Sequence, residues 1–200
     1  MKKTVIFLLA IILNLGNLLA QSSNTITVPY GTPPKIDGIL SKNEWADALY
    51  IQVRGSLGGD IYVKHTDSLL FVAFTEGGYA SSGIYIDKLQ NGGTAPQTDD
   101  LWLHSSAGKY EWYGDGTSWK ETVPSGWSYI VNIESRANAL GNEYVILFSK
   151  LGIKPNTTTT LGVLFSFMDW SSGGEVTWPV GGEDNCTDPS KWGKMIIQAK

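Results

Sequence analysis

The sequence predicts an all-β fold, an antiparallel β-sandwich with one short N-terminal helical turn. Three observations predict it. Short apolar or alternating runs follow one another at close spacing along the chain. Glycine supplies 23 of the 200 residues, above the usual ~7%, and it concentrates between those runs, where turns belong. Sustained 3.6-residue periodicity is nearly absent. Many short strands with Gly-rich turns pack sheet on sheet.

The elements follow in order. Residues 26–30 read as an edge strand, because Pro29 limits ladder pairing. Residues 35–48 read as a turn at Asp37-Gly38, then a capping box formed by Ser41 and Glu44. Trp45, Ala48 and Leu49 then share one helical face, and so short a helix must dock Trp45 on the sheet that follows. A short strand at 50–53 ends at the Gly-rich 55–59. Residues 60–65 and 69–76 form a hairpin around Thr66-Asp67-Ser68, and the second strand, almost wholly apolar, is central. Strands follow at 84–87 and 99–104, separated by a Gly/Pro/Asn loop. Gly114-Asp115-Gly116 turns a hairpin within 109–119. Further strands occupy 127–133, 143–148, 161–170, 175–180 and 192–197. That makes about ten or eleven strands in one domain, residues 21–200, with no internal repeat.

Residues 1–20 read as a secretory signal peptide: Lys2-Lys3, an apolar run from Val5, and Leu18-Leu19-Ala20 at the cleavage site. The protein is therefore expected to be secreted, in the periplasm, at the cell surface or outside the cell. No other stretch approaches the ~20 apolar residues of a membrane span. Beyond the signal, thirteen basic side chains face nineteen acidic ones, which argues against nucleic acid as a partner. Cys186 is the only cysteine, so no intrachain disulfide forms and the fold rests on its core. Eight tryptophans exceed what one core of this size readily buries, so some should be exposed.

Residues 36–48, Ile-Asp-Gly through Glu44-Trp45 to Ala48, resemble the opening of family 9 carbohydrate-binding modules and their DOMON-like relatives. The hairpin over 60–76, the acidic strand Asp99-Asp100-Leu101-Trp102-Leu103, the run 143–152 and the Trp178-Pro179 and Trp192-Gly193 closure resemble that family in the same order. Ser149 stands where the family often has Pro. The resemblance implies an immunoglobulin- or jelly-roll-like sandwich that binds mono- or oligosaccharides, or polysaccharide ends, between Trp side chains, sometimes beside structural calcium. It also implies a glycoside hydrolase as partner enzyme.

A sugar offers an apolar C–H face to an aromatic ring and hydroxyls to polar neighbours. Trp102 and His104 share the face opposite Leu101 and Leu103, with Asp100 beside them. They face a sugar, or a loop covers them. Trp112, Tyr113, Trp119 and Trp127 lie in or near turns, where aromatics are disproportionately functional. Trp170 and Trp178 flank another turn. Two aromatics facing across roughly 7–10 Å would clamp a ring. Trp45 reads as a core staple rather than a site residue.

Asp87 and Asp99, with Asp100, could supply oxygens to Ca²⁺, and Glu183, Asp184, Asn185 and Asp188 form a second acidic loop; neither has calcium-loop spacing. His65 and His104 alone make a poor zinc site. The DOMON-like relatives suggest haem as an alternative, with Met168, Met195 and the two histidines as candidate ligands. An envelope interaction protein without a small ligand is a third reading. No catalytic constellation is present: no Gly-x-Ser-x-Gly, no His-Glu-x-x-His, and no pair of carboxylates at glycosidase spacing along one strand.

Overall fold

Alternation of apolar and polar residues sorts the side chains of each strand between two faces, and the sheets pair on the apolar ones. The computed structural model describes residues 24–55, 57–75, 81–105, 108–131, 141–169, 174–181 and 185–200. The expected signal peptide and Trp170, Glu183 and Asp184 lie outside them.

The described residues form thirteen strands. They are β1 Thr25–Val28, β2 Leu49–Gln52, β3 Asp60–His65, β4 Leu69–Thr75, β5 Ser81–Asp87, β6 Asp100–Ser105 and β7 Lys109–Gly114. The chain continues with β8 Trp119–Thr122, β9 Trp127–Val131, β10 Gly141–Leu147, β11 Thr159–Asp169, β12 Gly174–Trp178 and β13 Gly193–Ile197. An eight-stranded sheet runs β1-β13-β11-β5-β6-β7-β8, with β12 also on β11, and a five-stranded sheet runs β2-β3-β4-β10-β9. The pairings are antiparallel except that β1 lies parallel to β13, with Ile26 opposite Met195. That pair is a local departure within the expected antiparallel sandwich, where the first and last described strands meet.

Between the sheets lie Ile61, Val63, Leu70, Val72 and Phe74 from one side and Ile84, Ile86, Leu101, Leu103, Val163, Phe165 and Phe167 from the other. Leu101 and Leu103 thus face the core, as alternation required. Phe74 meets Phe165 and Phe167 edge-on.

The expected helical turn is replaced by successive turns over residues 42–47. Their bonds span three residues, Glu44 N–H to Ser41 O and Ala48 N–H to Trp45 O. The buried Lys64 ammonium takes the Glu44 carbonyl and pairs with Asp47 at 2.8 Å, so a tertiary partner occupies a group that a helix would have used. Trp45 is buried as expected, on the outer face of the smaller sheet against Phe71 and Ala73. Its indole N–H and the N–H groups of Asp37 and Gly38 all donate to Glu143 of β10, at 3.1, 2.9 and 2.7 Å. One buried carboxylate therefore ties the Asp-Gly turn and Trp45 to the sheet.

Candidate functional site

The outer face of the eight-stranded sheet carries the concentration of aromatic rings. Register sets its central row: Leu164 is opposite Tyr85, Tyr85 opposite Trp102, and Trp102 opposite Trp112. The rings stack across the strands. Tyr85 and Trp102 lie 5.0 Å apart and 10° from parallel, and Trp102 and Trp112 lie 4.1 Å apart at 22°. Both faces of Trp102 are thus occupied by other rings. The sequence placed Trp102 on the correct side of β6 and left it either facing a sugar or covered by a loop; the groups against its two faces are neighbouring rings. Trp102 is the middle of a ladder, and its indole N–H is buried with no partner among the described residues. Gly83 makes room for it: a Cβ there would lie 3.0 Å from Trp102 Nε1 and 2.7 Å from Ser166 Oγ.

His104 fills the angle beneath the ladder, edge-on to Trp102 and Trp112 and 6.0 Å from the half-exposed Tyr110. It is 1% exposed. Burial pushes its pKa down to about 4, so the ring is neutral at pH 7.

Two further indoles complete the face. Trp119, half-buried at the start of β8, and Trp192, just before β13, lie parallel within 1° at 6.4 Å. Both indole N–H groups donate to one loop, Trp119 to the Cys186 carbonyl at 3.3 Å and Trp192 to the Asn185 carbonyl at 2.7 Å. The Cys186 thiol in turn donates to Glu175 at 3.2 Å. At 6.4 Å the two indoles stand closer than the spacing a sandwiched ring needs. As placed, they form a platform continuous with the ladder through Tyr85.

The remaining expected site residues separate. Tyr113 is exposed but pairs with core-facing Leu101, so it points away from Trp112. Trp127 is corrected: it is 5% exposed, stacks on Tyr144 in the inter-sheet core, and donates its N–H to Glu111 at 2.8 Å. Trp178 also joins that core. Tyr85, Tyr110, Trp192 and Gly83 were not named as site residues from the sequence. The register of Tyr85 with Trp102 was the signal, and only strand pairing reveals it. Of the haem candidates, Met195 lies in the core and His65 packs between Tyr30 and Phe148 in the other sheet.

Asp100 is fully buried rather than aligned beside Trp102 as a hydroxyl partner. It joins Asp87 and Asp99, with one oxygen from each within 4.8 Å of the others. Asp87 accepts from the N–H groups of Leu89, Asn91 and Gly92, and Asp99 from Leu89. Asp100 Oδ2 accepts from Gln97 N–H at 2.6 Å, while Oδ1 has no partner among the described residues. Burial, added to by its two acidic neighbours, raises the Asp100 pKa to about 7, and burial raises that of Asp87. Three carboxylate oxygens so placed are part of what a hard cation such as Ca²⁺ takes, which needs about 6–8 oxygens. In the second acidic loop Asp188 pairs with Lys191 at 3.2 Å and Asn185 is buried.

No protein-family profile and no curated protein matches the chain. Solved structures do. A family 9 carbohydrate-binding module from Caldicellulosiruptor kristjanssonii in complex with cellotriose superposes with a TM-score of 0.65 at 18% identity, covering 88% of this chain and 94% of that one. The same module with glucose gives a TM-score of 0.65 at 18% identity, over 88% and 96% of the two chains. The chain has the fold of a family 9 carbohydrate-binding module. That agrees with the resemblance carried by residues 36–48 and its companions, at an identity where sequence alone no longer aligns the chains with confidence.

Proposed function

We propose that this is a secreted, non-catalytic carbohydrate-binding protein whose sugar docks on the aromatic outer face of the eight-stranded sheet. The observation that carries the reading is the row of rings from Tyr85 through Trp102 and Trp112, continued by Trp119 and Trp192, on a fold shared with modules solved with cellotriose and glucose. Trp112, Trp119 and Tyr110 are only partly covered, so they are the rings that meet the sugar's C–H face. Burial of roughly 100 Å² of apolar surface there contributes about 2.5 kcal/mol. Trp102, half-buried in the same row, and the buried Tyr85 and His104 hold those rings in place.

Mono- and oligosaccharides, or polysaccharide ends, are the ligand class, and a glycoside hydrolase acting on the same polymer is the partner such a protein would serve. Asp87, Asp99 and Asp100 would hold calcium, whose charge would offset their mutual repulsion. Isothermal titration calorimetry against glucose, cellotriose and a panel of other sugars tests the reading. Heat with at least one member, with affinity weakened about ten-fold in Trp119→Ala, supports it. Silence across the whole panel overturns it.

A further inference from the structure

The opposite side of the molecule, the outer face of the smaller sheet, carries an aromatic platform of its own. Ile51, Val53, Ile61 and Val63 turn into the core. Alternation therefore turns Tyr50 and Gln52 of β2, and Asp60 and Tyr62 of β3, outward. Strand pairing sets them in two short rows, with Tyr50 opposite Tyr62 and Gln52 opposite Asp60. The Tyr50 and Tyr62 rings lie 5.5 Å apart, and Tyr62 rests in turn on the buried Trp45 at 6.2 Å. The Tyr50 hydroxyl donates to Asp60 Oδ1 at 2.9 Å, and the Asp60 N–H donates to Thr75 Oγ1 at 2.7 Å. The two rings are therefore held from behind and at the rim.

Packing does not account for the exposure of Tyr50. It is 50% exposed, more than Tyr30, Tyr110 or Tyr113. It sits on β2, which ends the smaller sheet. Free sheet edges are usually blunted by charge or proline, yet the outward pair on β2 is Tyr50 and the exposed Gln52. A rigid aromatic ring half in water, flanked by an amide and a carboxylate, has the chemistry of a sugar platform. The ring takes the C–H face, while Gln52 and Asp60 take the hydroxyls.

We propose that the outer face of β2 and β3 is a second, weaker sugar-binding surface, which makes the protein bivalent toward polysaccharide. The inference takes its ligand class from the sugar-binding reading above. Facing sheets pack about 10 Å apart, and the two aromatic faces lie outside both, so a short oligosaccharide fills one face at a time. A polysaccharide repeats the same unit, and one protein molecule can hold two chains or two stretches of one chain. The second contact is then made at high effective concentration, so even a weak site adds to retention. Rings already fixed by Trp45 and Asp60 leave little ordering for the sugar to impose.

The test titrates the ¹⁵N-labelled full chain with cellotriose by NMR. Wild type should show two sets of amide shifts, one in β7 and β8 and a weaker one over residues 50–54 and 60–62. The second set should persist in the double variant Trp112→Ala/Trp119→Ala. Tyr50→Ala should weaken it about ten-fold and leave the first set in place. Gln52→Ala removes a hydroxyl partner at an exposed position and no packing, so it should weaken the second set even if Tyr50→Ala folds poorly. In native gels containing hydroxyethylcellulose, retardation should fall in Tyr50→Ala and in the double tryptophan variant, and vanish when all three changes are combined. Shifts confined to β7 and β8, with retardation unchanged in Tyr50→Ala and Gln52→Ala, would overturn the second site and leave the first standing. Shifts confined to β2 and β3 would overturn both bivalence and the assignment of the larger sheet. No shift anywhere in wild type, and no retardation, would overturn both sites.

Discussion

Gly83→Ala tests the aromatic ladder at its tightest point. Gly83 lies on β5 between β11 and β6, opposite Ser166 and His104. An added Cβ would stand 2.7 Å from Ser166 Oγ, 3.0 Å from Trp102 Nε1 and 3.5 Å from Tyr85 Cε2. Ser166 can rotate its hydroxyl aside. Trp102 cannot slide, because Tyr85 covers one face and Trp112 the other. Overpacking at a site this confined costs about 1–3 kcal/mol. A middle value of about 2 kcal/mol lowers Tm by roughly 4–8 °C for a domain of this size. Strain at Trp102 presses on Trp112, which it stacks against, so sugar affinity falls as well. Urea unfolding, near-UV circular dichroism and calorimetry read the three effects. Adding Ser166→Gly removes only the contact that rotation already relieves and should recover little of the lost stability. A Gly83→Ala protein within about 0.5 kcal/mol of wild type, with an unchanged aromatic signal, would refute the ladder as described.

Other outcomes follow from particular contacts. His104 is held neutral, with a folded pKa of about 4 against 6.5 unfolded. Its stabilising contribution is complete above about pH 6.5 and is lost as pH falls through 4. That amounts to about 3 kcal/mol across the window, and His104→Phe should flatten the urea-measured stability curve there. Glu143→Ala strands three N–H donors, from Asp37, Gly38 and Trp45, and should destabilise by about 3 kcal/mol or more. It acts on the opposite sheet, so calorimetry should show sugar affinity at the larger sheet's aromatic face unchanged. Trp112→Ala and Trp119→Ala should each weaken sugar about ten-fold, close to the stacking contribution of one ring. Trp127→Phe should instead lower stability by about 1.5–3 kcal/mol through the lost bond to the Glu111 carboxylate, with binding retained.

The strands were legible because period-2 alternation is a local property. Leu101 and Leu103 against Trp102 and His104 were read correctly from six consecutive residues. Ring occupancy was not legible, because the partners of Trp102 come from other strands, Tyr85 and Trp112. Trp119 and Trp127 looked alike in sequence, each beside a Gly-rich turn. Trp119 begins β8 on the aromatic face, whereas Trp127 begins β9 in the other sheet, and its indole turns inward to a buried Glu111. The helical turn failed for the same kind of reason: Lys64, far along the chain, takes the Glu44 carbonyl. The grouping of Asp87 with Asp99 and Asp100 was legible in the sequence; its physical basis, Asp87 lying opposite Asp100 across β5 and β6, was not.

The most direct test of the account is a single calorimetric comparison: wild type, Trp119→Ala and Trp127→Phe titrated with cellotriose in calcium buffer. The account predicts binding by wild type, about ten-fold weaker binding by Trp119→Ala, and wild-type affinity for Trp127→Phe despite its lower stability. Equal affinity in Trp119→Ala, or loss confined to Trp127→Phe, would place the sugar elsewhere and contradict the assignment of the aromatic outer face.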